Sequence, residues 1–161
     1  MRLVGAIAVA TIGTGLMSHR AASTTATQTF TVQVNAINQI AMSGSPSLVV
    51  NSATAGSPPL SVTDATGTWA VTTNQTGSTI SGSIASAMPS GLTLSVNLAA
   101  PSGGTSTGLQ AIGTTAVALV TGVTKVNASG LTMTYQIDAT TAAGVVSAAT
   151  KVVTYTITGG V

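Results

Sequence analysis

Apolar and polar side chains alternate at every position through Leu92-Thr93-Leu94-Ser95-Val96-Asn97-Leu98. The same period returns in Leu131-Thr132-Met133-Thr134-Tyr135-Gln136-Ile137 and in Val153-Thr154-Tyr155-Thr156-Ile157. Successive side chains of a strand point to opposite faces, so a stretch with this period gathers its apolar residues on one side only when extended. Wound as a helix, it would scatter them around the cylinder. The polar partners are mostly Thr, whose β-branched side chain is restricted at χ1 and packs well on a pleated surface. This alternation commits the chain to sheet.

Shorter pieces repeat the pattern between turn-forming residues. Thr29–Ala36 places Phe30, Val32, Val34 and Ala36 on one face, and Gln39–Met42 follows after Asn38. Leu48–Val50, Leu60–Val62, Gly67–Thr73, Thr79–Ile84 and the continuous apolar run Val117–Val120 read as further strands. They are separated by Ser43-Gly44-Ser45-Pro46, Pro58-Pro59, Asn74-Gln75-Thr76-Gly77 and Met88-Pro89-Ser90-Gly91. The longest loop is read over residues 101–108, and Ala142-Ala143-Gly144 reads as a hairpin-like connection between the last two strands. About nine or ten short strands at this spacing predict an all-β fold, an antiparallel β-sandwich of immunoglobulin-like type. Helix is expected only in the N-terminal leader, and no period of 20–50 residues indicates a solenoid.

That leader is residues 1–23. Arg2 precedes an apolar run from Leu3 to Met17, and Ala21-Ala22-Ser23 supplies small residues, which together predict a secretory signal peptide cleaved after Ser23, with Ala26 as the second choice. The run is too short, and too broken by glycine, to span a bilayer comfortably. Cleavage removes Arg2, His19 and Arg20. What remains charged in residues 24–161 is Lys125, Lys151, Asp64 and Asp138, so the two signs cancel. The pI near 9.5 therefore belongs to the leader. Nucleic acid is not an expected partner, because neutralising phosphates takes clustered Lys or Arg. The mature chain is expected outside the cell and off the membrane.

The same inventory bears on chemistry. Beyond residue 23 there is no His, Cys or Glu, so a Ser-His-Asp arrangement is not available and metal ligands are too few. Asp64 and Asp138 read as turn or surface residues, and Gly103-Gly104 as a loop without the lysine that a phosphate cradle uses. The expectation is a non-enzyme with no cofactor and no metal. Two sequons, Asn74-Gln75-Thr76 and Asn127-Ala128-Ser129, are unsurprising in a chain with 48 Ser and Thr among 161 residues. Trp69 is the one candidate sugar-stacking ring and therefore a possible ligand contact, set against a place in the core. Low charge also leaves strand borders without the lysines that natural monomers use to blunt them; only Lys125, Lys151 and Pro58-Pro59 are available.

A cysteine-free chain rich in Thr, Ser, Ala, Gly and Val that closes on Val153-Thr154-Tyr155-Thr156-Ile157-Thr158 resembles the subunits of prokaryotic surface filaments and fimbriae, including spore-coat-U-like secreted proteins and archaeal bundling pilins. The resemblance implies a secreted structural subunit that polymerises with copies of itself, an extended N-terminal segment of one subunit filling its neighbour. Residues 24–36 are the candidate donor strand here, with Phe30, Val32, Val34 and Ala36 as its pocket-filling side chains; the competing assignment makes 29–36 the first strand of its own domain. Burying the three large side chains would contribute about 5–8 kcal/mol. The alternative function is an adhesin or carbohydrate-binding sandwich, with a glycan as ligand.

Overall fold

A computed structural model describes residues 24–161; the expected signal peptide, residues 1–23, lies outside them. The described residues form nine strands: β1 (Asn38–Ser43), β2 (Val62–Thr73), β3 (Ser78–Ile84), β4 (Leu92–Leu98), β5 (Thr105–Ser106), β6 (Gln110–Ala111), β7 (Val117–Val123), β8 (Val126–Ala139) and β9 (Val153–Thr158). The only helical element among the described residues is a 3₁₀ turn at Thr141–Ala143.

Every strand pairing is antiparallel. Five strands make one sheet in the order β1-β2-β8-β4-β6, and four make the other in the order β5-β7-β3-β9. The core draws on both sheets: Trp69, Val71, Leu94, Val96, Leu98, Met133 and Tyr135 from the first, and Ile80, Ile84, Leu119, Val120 and Val123 from the second. The period of two is clearest in β3, where Ser78, Ile80, Gly82 and Ile84 are buried and the three residues between them are not. Gly82 leaves room for its neighbours there: a Cβ would stand 2.8 Å from Leu119 Cδ1, which would have to shift, and 3.5 Å from the Tyr155 ring. In β7 the alternation breaks. Leu119 and Val120 are both fully buried because the β3–β7 register shifts on either side of Ile80, a bulge that turns two neighbours inward.

Several expectations are corrected. β8 and β9 do not form a hairpin: β8 is already paired on both sides, by β2 and β4, so the chain after Ala139 crosses to the other sheet and β9 joins β3. Leu48–Val50 is not a strand, and Leu60-Ser61 lies just outside β2, next to an isolated bridge between Ala53 and Pro59. Residues 101–108, read as loop, contain β5. Residues 29–36 form no strand among the described residues, and Phe30, Val32 and Val34 are 78%, 75% and 77% exposed.

Candidate assembly interface

A sheet of finite width ends in strands with one unpaired row of N–H and C=O groups, a template for another chain. Here the two flanks of the sandwich differ. On one flank the borders are β5 and β6, two residues each. They are tied inward by side chains: Ser106 Oγ donates to Asn97 Oδ1 at 3.0 Å, Thr107 Oγ1 to Ala118 O at 2.9 Å, and Gln110 Nε2 to Thr107 O at 2.8 Å. On the other flank the borders are β1, Asn-Gln-Ile-Ala-Met-Ser, and β9, Val-Thr-Tyr-Thr-Ile-Thr, each six residues with no charge and no proline.

The residues available to blunt an edge stand elsewhere. Lys125 occupies the β7–β8 turn, where its φ is 42°. Lys151 Nζ donates to Ala87 O at 2.7 Å and Ser86 Oγ at 3.0 Å. Pro58-Pro59 belongs to the 44–61 connection.

The seam between β1 and β9 is incompletely filled. The side chains they turn inward, Ile40 and Met42 from β1 and Val153, Tyr155 and Ile157 from β9, pack on the core yet stay half-buried. At one end Asn38 Nδ2 donates to Gly159 O at 3.4 Å, and Asn38 Oδ1 accepts from Thr73 Oγ1 at 2.6 Å. Deeper in, the Tyr135 and Tyr155 hydroxyls are hydrogen-bonded at 2.7 Å, joining β8 of one sheet to β9 of the other. Burial pushes the Tyr135 hydroxyl up, against a smaller downward pull from Tyr155; burial, and then the Tyr135 hydroxyl beside it, push Tyr155 up further.

The residues singled out in the sequence are dispersed. Phe30, Val32, Val34 and Ala36 are exposed. Trp69 is 1% exposed in the core, the place weighed in the sequence against a ligand contact. Its Nε1 is buried without a hydrogen-bond partner among the described residues. Asp64 sits at the β2 bulge, accepting from Thr66 N (2.8 Å), Thr66 Oγ1 (2.6 Å) and Ser47 N (2.9 Å); these bonds, the Thr66 hydroxyl's first, hold its carboxyl below the usual range. Asp138 accepts from Ser61 Oγ and from Gln136 Nε2. Gly103-Gly104 closes a tight turn, Gly104 N donating to Pro101 O at 3.0 Å.

A groove of about 880 Å³ opens between the 46–53 and 143–151 connections, lined by Leu48, Met88, Leu92, Ile137 and Val146 among others. Lys151 is its one ionisable side chain, so it holds no acid–base pair. Among the described residues no helix is long and apolar enough to cross a membrane.

Sequence reasoning missed Asn74. It sits in the β2–β3 turn as expected, but its side chain reaches back to the chain ahead of β1: Asn74 Oδ1 accepts from Ile37 N at 2.8 Å and Asn74 Nδ2 donates to Asn35 O at 2.8 Å. The signal available was only an Asn beside a strand end, a residue type that hydrogen-bonds backbone readily. Comparison of the chain with protein-family models, with curated proteins and with solved structures gives no match.

Proposed function

We propose that this protein is a non-catalytic extracellular structural subunit that assembles with copies of itself into a surface filament, through donation of residues 24–36 to a neighbour or through pairing of open sheet borders. The observation that carries this reading is the asymmetry of the two flanks: one bordered by two-residue strands, the other by β1 and β9, long, uncharged and backed by half-buried Ile40, Met42, Val153, Tyr155 and Ile157. Main-chain hydrogen bonds along such a border supply affinity, and side chains at every second position of the added strand supply specificity. Phe30, Val32 and Val34 have that spacing and are exposed. A chain of near-zero charge has little electrostatic repulsion to hold copies apart.

Negative-stain electron microscopy of secreted protein tests this directly. Filaments are expected from the intact mature chain. A variant lacking residues 24–36 is expected to remain folded and unassembled if donation is the route; filaments formed by it at the normal yield would leave border pairing alone. Material that stays monomeric at high concentration would overturn assembly by either route. The glycan-binding alternative would need a platform other than Trp69, which is buried.

A further inference from the structure

The chain ahead of β1 is held by a side chain acting as a strand would. A strand partner exchanges N–H and C=O groups with its neighbour; Asn74 offers the same set from one residue. Its backbone N donates to Ile37 O at 3.2 Å, its Oδ1 accepts from Ile37 N at 2.8 Å, and its Nδ2 donates to Asn35 O at 2.8 Å.

The turn that presents Asn74 is itself braced. Gln75 Nε2 donates to Asn74 Oδ1 at 2.6 Å, and Gln75 N donates to Thr73 Oγ1 at 3.0 Å. Lys125 N donates to Gln75 O at 2.9 Å, Gly77 N to Thr124 Oγ1 at 3.0 Å, and Thr76 exchanges both backbone bonds with Val161 at 3.0 and 3.3 Å. The anchor is therefore fixed to β2, to the β7–β8 turn and to the chain after β9 at once. Its amide is engaged on both oxygen and nitrogen, so the sequon Asn74-Gln75-Thr76 serves as a structural clasp.

We infer that Asn74 is a positioning residue for the chain entering β1: it pins residues 35–37, at the end of the segment read as the donor strand. This rests on the reading of 24–36 as an assembly segment only in its second half, the effect on filaments. Pinning these residues in advance removes conformational freedom that binding would otherwise have to remove, which favours association without adding a contact. Neither Phe30 nor Val32 needs to touch Asn74 for this to hold.

The test compares Asn74→Ala and Asn74→Asp with the wild type in the full mature chain, in two measurements. The first is amide hydrogen exchange at Ile37 in unassembled protein, with far-UV circular dichroism to verify folding. Asn74→Ala is expected to speed Ile37 exchange about tenfold, the loss of one hydrogen bond of ordinary strength. Asn74→Asp, which keeps an acceptor for Ile37 N–H but cannot donate to Asn35 O, is expected to fall between. Unchanged exchange in both variants overturns the anchor. The second is filament yield by sedimentation, expected to drop about tenfold in Asn74→Ala. Faster exchange with undiminished yield overturns the positioning role. Absence of filaments in the wild type would instead overturn the assembly reading, while the exchange comparison still decides the anchor.

Discussion

At the scale of single residues, two places concentrate what the fold cannot easily change. Gly82 lies in the middle of β3 opposite Tyr155 of β9, and its missing side chain is the space that Leu119 and the Tyr155 ring occupy. Leu119 is fully buried, so its Cδ1 would have to shift within the core. Gly82→Ala is accordingly expected to destabilise by about 1–3 kcal/mol, read as a lowered urea midpoint with unchanged slope. The second place is the tyrosine pair. Burial raises both hydroxyls above their ordinary range, so the folded chain keeps protons that the unfolded chain releases. Their contribution is full below about pH 10, the unfolded value, and declines as pH rises past it. Melting temperature is expected to fall between about pH 9 and pH 11, and the fall to be shallower in Tyr135→Phe/Tyr155→Phe, which lacks both hydroxyls. An equal slope in that variant would place the alkaline sensitivity elsewhere.

At the scale of elements, the borders are where the assembly reading can be tested. β1 and β9 carry outward-facing Ala41 and Thr156, both exposed and both mid-strand. A lysine at either position puts a charge on an edge without entering the core, the device by which natural sheets refuse extra strands. Ala41→Lys and Thr156→Lys are expected to leave thermal stability within about 0.5 kcal/mol of wild type and to abolish filaments singly or together. The same lysine at Thr105 of β5, on the two-residue border, is expected to leave assembly intact. Loss of filaments from all three alike would mean that the flanks are not distinguished.

Elements also show where reading the sequence stops. Leu92–Leu98 is β4 to the residue because its alternation is uninterrupted, and Gln39–Met42 lies inside β1, which ends at Ser43 just before Gly44. The apolar run Val117–Val120 is only the first part of β7, which continues to Val123: Gly122 takes a φ of 70°, open to glycine, and the strand does not end there. Phe30, Val32 and Val34 look like strand residues by pattern, and no local rule states whether a partner waits in the same molecule. Asn74 was legible as a turn residue but not as an anchor, since its partners Asn35 and Ile37 are almost forty positions away.

At the scale of the whole molecule, the decisive property is the scarcity of charge. Residues 24–161 carry only Lys125, Lys151, Asp64 and Asp138. Association driven by backbone pairing and apolar burial should then be nearly indifferent to screening, whose Debye length falls from about 10 Å at 0.1 M to about 3 Å at 1 M salt. Assembly rate, followed by light scattering, is expected to change by less than about threefold over that range of sodium chloride. A steep fall would point to charge pairing between copies and count against the edge-based reading.

Side-chain order alone committed this chain to sheet, because a period of two depends only on neighbours two positions apart, and composition alone emptied residues 24–161 of histidine, cysteine and glutamate. Partnership between strands was settled elsewhere. β9 sits beside β3 because β8 had no free side left, Leu119 and Val120 both face inward because a bulge shifted the register, and Trp69 is hidden because two sheets close over it. Each of those outcomes depends on groups far apart along the chain competing for the same space and the same hydrogen bonds, and such competition exists only once the chain has folded.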